Sequence, residues 1–190
     1  SRSATRILIR RIEEIKPDII HLHNLHGYYI NIEILFNYLG TTNIPIVWTM
    51  HDCWMFTGHC AHFVDANGFK WKSHCEKCEN SKVYPESWFV DRSFSMFEKK
   101  RELFNKPKRM VLVPVSKWIA DFLPYSFMSK YPVKLIYNGV DLETFKPSKE
   151  EDVNLLKEKY QIKGKFIVLG VAHTWTDGKG WSDFLKMSSM

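Results

Sequence analysis

The stretch HDCWMFTGHCAHF, residues 51–63, brings three histidines, two cysteines and an aspartate into thirteen positions. Imidazole, thiol and carboxylate are the groups that bind transition metals and transfer protons near neutral pH, and a thiolate beside a base attacks electrophiles. His51 and Asp52 follow directly on the apolar run IPIVWTM. A strand there delivers His51 to its carboxyl end, where it can donate a hydrogen bond or act as a base. The competing reading is a histidine that only caps the packing of that strand.

All four cysteines lie between residues 53 and 78, and the last two, Cys75 and Cys78, form a C-x-x-C in SHCEKCEN. Tetrahedral zinc takes about four sulfur or nitrogen donors. Cys60, Cys75 and Cys78 with one of Cys53, His59, His62 or His74 would supply them, so Cys53, Cys60, Cys75 and Cys78 are candidate ligands of a structural zinc. Lys70, Lys72 and Lys77 nearby would offset thiolate charge. Reduced thiols without a ligand remain the alternative. Redox chemistry has less support, because a thioredoxin-type pair sits at a helix start right after a strand and this one sits in a loop.

Three further places could bind a ligand. His21 and His23 alternate along one apolar run and so share a face; His23, nearer the carboxyl end, is the better candidate, and His21 reads as a packed core residue. In HNLHGYY, which holds Asn24, Gly27 would let a ligand approach the backbone, and Tyr28 and Tyr29 offer an aromatic wall for a sugar or base, or else pack in the core. In GVAHTWTDGKGWSDFL, Lys179 and Gly180 precede a helix, joining a cation to free helix N–H groups as phosphate binding requires. The Walker pattern is absent, since Gly180 and Trp181 follow Lys179, and no G-x-G-x-x-G follows a first strand.

The elements that must position these groups follow from periodicity. ATRILIRRIEEI has helical spacing and KPD stops it before the β-rich IIHLH. The alternation then repeats, with helices predicted over IEILFNYLG, SFSMFEKKRELF, SKWIADFL and EEDVNLLKEKY. Strands are predicted over IPIVWTMH, RMVLVPVS, VKLIYNGV and KFIVLGVAH. Short apolar strands alternating with amphipathic helices predict a Rossmann-like α/β fold, a parallel sheet with helices on both faces. Ligands of such sheets bind beyond the carboxyl ends of the strands, which is where HNLHG, HDCW, SKW, NGVD and HTWTDGKG fall.

Composition agrees with this class. With 45% hydrophobic and 25% charged residues the 190-residue chain is neither disordered nor a membrane bundle. No apolar run approaches the roughly 20 residues of a bilayer span, and the amino end lacks the apolar block of a signal peptide, so a cytoplasmic setting is expected. The net charge of +6 suits a nucleic acid, an anionic membrane surface or a phosphorylated small molecule. Part of it is the run Lys99, Lys100, Arg101, Lys106, Lys108 and Arg109, read as a solvated helix face and loop or as a peripheral contact with the inner face of a membrane.

The shift in composition after NGVDLETFKPSKEED places a domain boundary near Pro147. Residues 1–147 read as the later part of a first domain, with a Cys-rich insertion over about 53–80, and 148–190 as the start of a second. The chain begins inside a helix and stops at FLKMSSM without a closing element, so it is expected to be cut at both ends.

Taken in order, PDIIHLHNLHGYYINIEIL, IPIVWTMHDCWMFTGHCAHF, VPVSKWIADFL, LIYNGVDLETFKP and GVAHTWTDGKG resemble the strand ends of a glycosyltransferase of the GT-B fold, family 4. HDCWMFTGHC with the downstream C-x-x-C resembles a bacterial subgroup tied to surface-polysaccharide synthesis. The resemblance implies an acceptor held mainly by a first Rossmann-like domain and a nucleotide sugar, UDP- or GDP-linked, held by a second. It also implies hexosyl transfer to a lipid-linked or polysaccharide acceptor, retaining the anomeric configuration and needing no cofactor. Carried over, His51 matches the histidine that contacts the donor sugar, and Gly27 with its neighbours His23, Asn24 and Tyr28 matches the acceptor-side loop. Lys179, with Gly180 beside it, matches the lysine that neutralises the donor diphosphate. Asn138, Gly139 and Asp141 match a signature of structural or hinge character.

Two departures stand out. The family's usual arginine six residues before that lysine is here His173, a weaker and pH-dependent cation. The family's E-x7-E segment would lie beyond Met190, so these residues alone are expected to lack transferase activity. The alternative function is a zinc-stabilised basic module for nucleic acid, against which stand the missing RNA-binding aromatic motif and the lack of stacking residues in the basic run; no nucleic acid partner is expected. A sugar-nucleotide epimerase is weakened by the missing dinucleotide fingerprint.

Overall fold

A computed structural model describes residues 1–63, 69–78 and 90–188. Of the Cys-rich insertion predicted over 53–80, residues 64–68 and 79–80 lie outside the described residues. The chain divides into two compact units, Ser1–Gly139 and Val140–Met190.

The first unit opens with helix α1 (Arg2–Ile15), capped by Ser1, whose hydroxyl accepts the Ala4 N–H, and closed by Lys16 in a left-handed conformation, φ 52°. Strand β1 (Ile20–Leu22) follows, then α2 (Ile32–Thr41), β2 (Ile46–Met50), α3 (Ser93–Phe104), β3 (Met110–Pro114) and the short helix α4 (Lys117–Phe122). The strands form a parallel sheet in the order β1-β2-β3, with Ile20 opposite Ile46 and Ile46 opposite Met110. This is the α/β Rossmann-like arrangement expected, and α2 and α3 are the crossovers that parallel pairing demands. Asn31 caps α2 by accepting the Ile34 N–H at 3.0 Å, and Ser116, straight after β3, caps α4.

Packing explains the register. Ile46, Trp48 and Met50 alternate along β2 and are buried, meeting Leu35, Phe36 and Leu39 of α2 and Phe104 of α3 in one core. The Phe36 and Phe104 rings lie 4.5 Å apart and Trp48 stands edge-on to Phe104 at 4.9 Å. A one-residue slip of β2 would replace Trp48 with Val47 or Thr49 on that face, which the core cannot accept.

The predicted strand VKLIYNGV is realised only in part. Val133 forms a bridge to Leu112, and Lys134 and Ile136 donate backbone hydrogen bonds to Leu112 and Pro114 at 2.9 and 3.2 Å, but no strand is completed. In the second unit, helices α5 (Glu150–Lys159) and α6 (Trp181–Ser188) are present. Three acidic residues begin α5 and two lysines end it, complementing the helix dipole. The predicted strand KFIVLGVAH does not form: Phe166 is 95% and Leu169 81% exposed, with no strand beside them among the described residues. No helix among the described residues is long and apolar enough to cross a membrane.

Candidate active site

The carboxyl ends of β1 and β2 are adjacent, and they bring His23 and His51 together. His23 Nδ1 and His51 Nε2 are 3.0 Å apart, so one nitrogen donates and the other accepts. Among the described residues, no other hydrogen bond engages His51 Nδ1 or His23 Nε2. The Trp48 indole N–H donates to the His23 carbonyl at 3.1 Å, and the Val115 N–H donates to Met50 O, so the backbone on either side of the pair is fixed by the sheet. His21 is exposed, correcting its reading as a core residue. Its ring lies 4.3 Å from that of His23 and its Nε2 is 2.8 Å from Thr49 Oγ1. Burial, then the neighbouring His23 and His51, hold the His21 pKa below its ordinary value. Three imidazoles and one hydroxyl therefore form a polar mouth at the end of the sheet.

One residue further, the environment inverts. Asp52 to Gly58 are buried without interruption. Asp52 Oδ2 pairs with His26 Nε2 at 2.8 Å, and its Oδ1 accepts the Trp54 N–H at 2.9 Å, tying the loop after β1 to the loop after β2. The sequence reading missed this pair, although His26 stands in the same strand-end segment as His23; only the fold shows which carboxylate it meets. It also missed Lys100. Read as part of a solvated basic face, Lys100 is instead wholly buried: its ammonium donates to the carbonyls of Trp54 and Thr57 at 2.8 and 3.0 Å and lies 3.6 Å over the Trp54 ring. Burial drives its pKa well down, against the opposing pull of Cys75, Asp52 and Cys60. The flanking cations are paired outward, Lys99 with Glu33 and Lys106 with Glu102.

The residues expected on the acceptor side lie on the loop after β1. Asn24 O accepts the Tyr29 hydroxyl at 2.6 Å, and the Tyr29 ring lies so near Gly27 that a Cβ there would stand 3.0 Å from it. Tyr28 takes a left-handed φ of 59° and is 65% exposed, so neither tyrosine serves the core.

The cysteines separate into two kinds. Cys53 is fully buried in the hydrophobic core, where burial and then Asp52 push its thiol pKa up. Cys60, Cys75 and Cys78 instead line one cavity with His59 and Trp71. Cys60 Sγ lies 3.3 Å from Cys78 Sγ, and the Gly58 N–H donates to Cys75 Sγ at 3.1 Å. Among the described residues no three His, Cys, Asp or Glu side chains stand in a ready-made metal geometry.

The order of these strand ends on a parallel sheet can be compared with known proteins. A sequence profile described as Glycosyltransferase Family 4 matches residues 1–144. The chain belongs to glycosyltransferase family 4. In Escherichia coli (strain K12), the protein named "Putative colanic acid biosynthesis glycosyl transferase WcaC" is 30% identical over 174 residues, covering 86% of this chain and 40% of that relative. The chain thus spans well under half of that relative's length. No solved structure gives a significant match.

For a family 4 chain, the donor-side candidates fall in the second unit. Lys179 ends a single tight turn, Asp177–Lys179, and Gly180 follows with φ 76°, opening directly into α6. That conformation suits glycine, and a side chain there would be strained. His173 and Lys179 are both exposed on the segment before α6, and His173 Nδ1 is 3.1 Å from Thr174 Oγ1. Trp175 stacks on Phe184 at 5.4 Å, fixing that segment against the helix.

Proposed function

We propose that this protein transfers a hexosyl group from a UDP- or GDP-linked sugar to a glycan or lipid-linked acceptor, with retention of configuration and no cofactor in the chemistry. The observation that carries the reading is the His23–His51 pair, held 3.0 Å apart at the carboxyl ends of adjacent parallel strands, where ligands of open α/β sheets bind. In this reading His51 positions the donor sugar and His23 fixes the His51 ring. Asn24, Gly27 and Tyr28 meet the acceptor, and Tyr28 offers an exposed ring on which a sugar can lie.

In the second unit, Lys179 neutralises the donor diphosphate, with Gly180 giving access to the first N–H groups of α6. His173 assists there as a pH-dependent cation. The name of the Escherichia coli relative, a glycosyl transferase of colanic acid biosynthesis, supports a biosynthetic glycosyl transfer. Four free thiols support a cytoplasmic setting for the reaction.

Nucleotide-sugar turnover by the complete gene product, with and without His51→Ala, tests the reading. Turnover should fall by roughly 100-fold or more, with the urea unfolding midpoint unchanged. A variant as active as the parent would remove His51 from the chemistry.

A further inference from the structure

A cavity lined largely by thiols lies in the segment after β2, and none of its lining residues is among those assigned above to donor or acceptor. Three of the four thiols, Cys60, Cys75 and Cys78, meet there with His59 around a volume of about 30 Å³, room for a water- or ion-sized body. They come from two segments, the one that follows β2 and the C-x-x-C loop.

We propose that Cys60, Cys75 and Cys78, with His59 as the fourth donor, form a structural zinc site that clasps the segment after β2 to the C-x-x-C loop and the start of α3. Three observations support it. First, zinc–sulfur bonds of about 2.3 Å in a tetrahedron place ligand sulfurs about 3.8 Å apart. The Cys60–Cys78 separation of 3.3 Å falls short of that by an amount that a small rotation of one thiol supplies. It is far longer than a disulfide of about 2.0 Å.

Second, the backbone supports the sulfurs. The Gly58 N–H donates to Cys75 Sγ, and Asp91 accepts the N–H groups of both Cys78 and Ser93 at 2.8 Å, joining the cysteine loop to the first turn of α3. Such outer contacts orient metal ligands. Third, the indole N–H of Trp71, a residue only 1% exposed that lines the same cavity, has no hydrogen-bond partner among the described residues. A metal-bound thiolate is a stronger acceptor for it than a neutral thiol.

The other donors considered from the sequence stand elsewhere. Cys53 is in the core, His62 is exposed, and His74 lies 3.7 Å from Glu76 on the surface.

The experiment is metal analysis of protein purified without chelator, followed by removal of the metal and titration with Zn²⁺ and with Co²⁺. About one zinc per chain is expected, together with a thiolate-to-cobalt charge-transfer band on Co²⁺ addition. Cys75→Ser and Cys78→Ser should lose most of the bound metal, and Cys53→Ala should keep it. His59→Ala should weaken Zn²⁺ binding at least about tenfold and change the cobalt d–d spectrum. The titration of the unmodified protein does not depend on any variant folding. Absence of zinc in it, with no charge-transfer band on Co²⁺ addition, overturns the site. A Cys60–Cys78 disulfide found by mass spectrometry in the protein as purified, before any metal is removed, overturns it as well. An unaltered affinity and spectrum in His59→Ala overturns the fourth donor.

Discussion

The two ends of residues 51–63 are built for opposite purposes. At one end His51 is exposed, shares a hydrogen bond with His23 and sits where the sheet stops. At the other, the chain runs through seven consecutive buried residues into a cavity walled by thiols. The first end is open and rich in groups that gain or lose protons near neutral pH. The second is closed, and its thiols are pushed up in pKa: Cys60 by its contact with Cys78 and then by burial, Cys75 by burial. Raised thiols are poor nucleophiles. The difference teaches that one dense cluster of reactive residue types can serve two functions, and that burial assigns them.

If the closed end is structural, substitutions there should move stability most. Lys100→Ala removes a wholly buried side chain and leaves the carbonyls of Trp54 and Thr57 without their donor. Cavity formation and two orphaned acceptors together should cost about 3–5 kcal/mol, read from urea unfolding of the first unit by tryptophan fluorescence. Lys100→Met keeps the stem and most of the packing and should recover part of the loss. A Lys100→Ala protein within about 1 kcal/mol of the parent would show that the closed end tolerates an empty centre.

Gly58→Ala probes the same end through the backbone. A Cβ at Gly58 would stand 2.3 Å from Ser93 O and 2.7 Å from Cys75 Cβ, contacts that only a shift of main chain can relieve. The expected cost is about 1–3 kcal/mol, accompanied by faster reaction of Cys60, Cys75 and Cys78 with a thiol reagent. Unchanged thiol reactivity would mean that Gly58 does not hold the cavity shut. The same substitution should leave the geometry of His23 and His51 intact, because both are fixed by the sheet.

How much of this was legible in sequence depends on what each signal needs. Strands β1, β2 and β3 were read from apolar runs because each finds a neighbour along its length. KFIVLGVAH has the same composition, yet it forms no strand, because an apolar run reports a capacity to be buried and a strand also requires a partner for its hydrogen bonds. His51 was legible because position after a strand is a sequence property. The His26–Asp52 pair was not, since 26 residues separate its members. Spacing could gather the four cysteines but could not set Cys53 apart, because only the packing of Trp54 and its neighbours draws it into the core. Lys100 was the deepest miss: a lysine in a basic run is ordinarily solvated, and only the turn at Trp54–Phe56 supplies the two carbonyls that let it be buried.

The open end should respond weakly, and chiefly to pH. His21 has a folded pKa held below 6.5, by burial first and then by the charges of His23 and His51. Below that value the unfolded chain binds the proton more readily than the folded one, so folding stability rises with pH in this window and is lost as pH falls through it. The ring is exposed and solvent screens most of the interaction, so the change in unfolding midpoint should be small compared with that of Lys100→Ala. His23→Asn removes one of the charges that disfavour protonation, so the His21 titration, followed by its ring-proton shifts in NMR, should move upward toward 6.5. His51→Ala should move it the same way by less, since the His51 contribution is the smaller of the two. A His21 midpoint unaffected by either change would mean that the three imidazoles do not share a field, and the strand-end mouth would then be three separate side chains rather than one site.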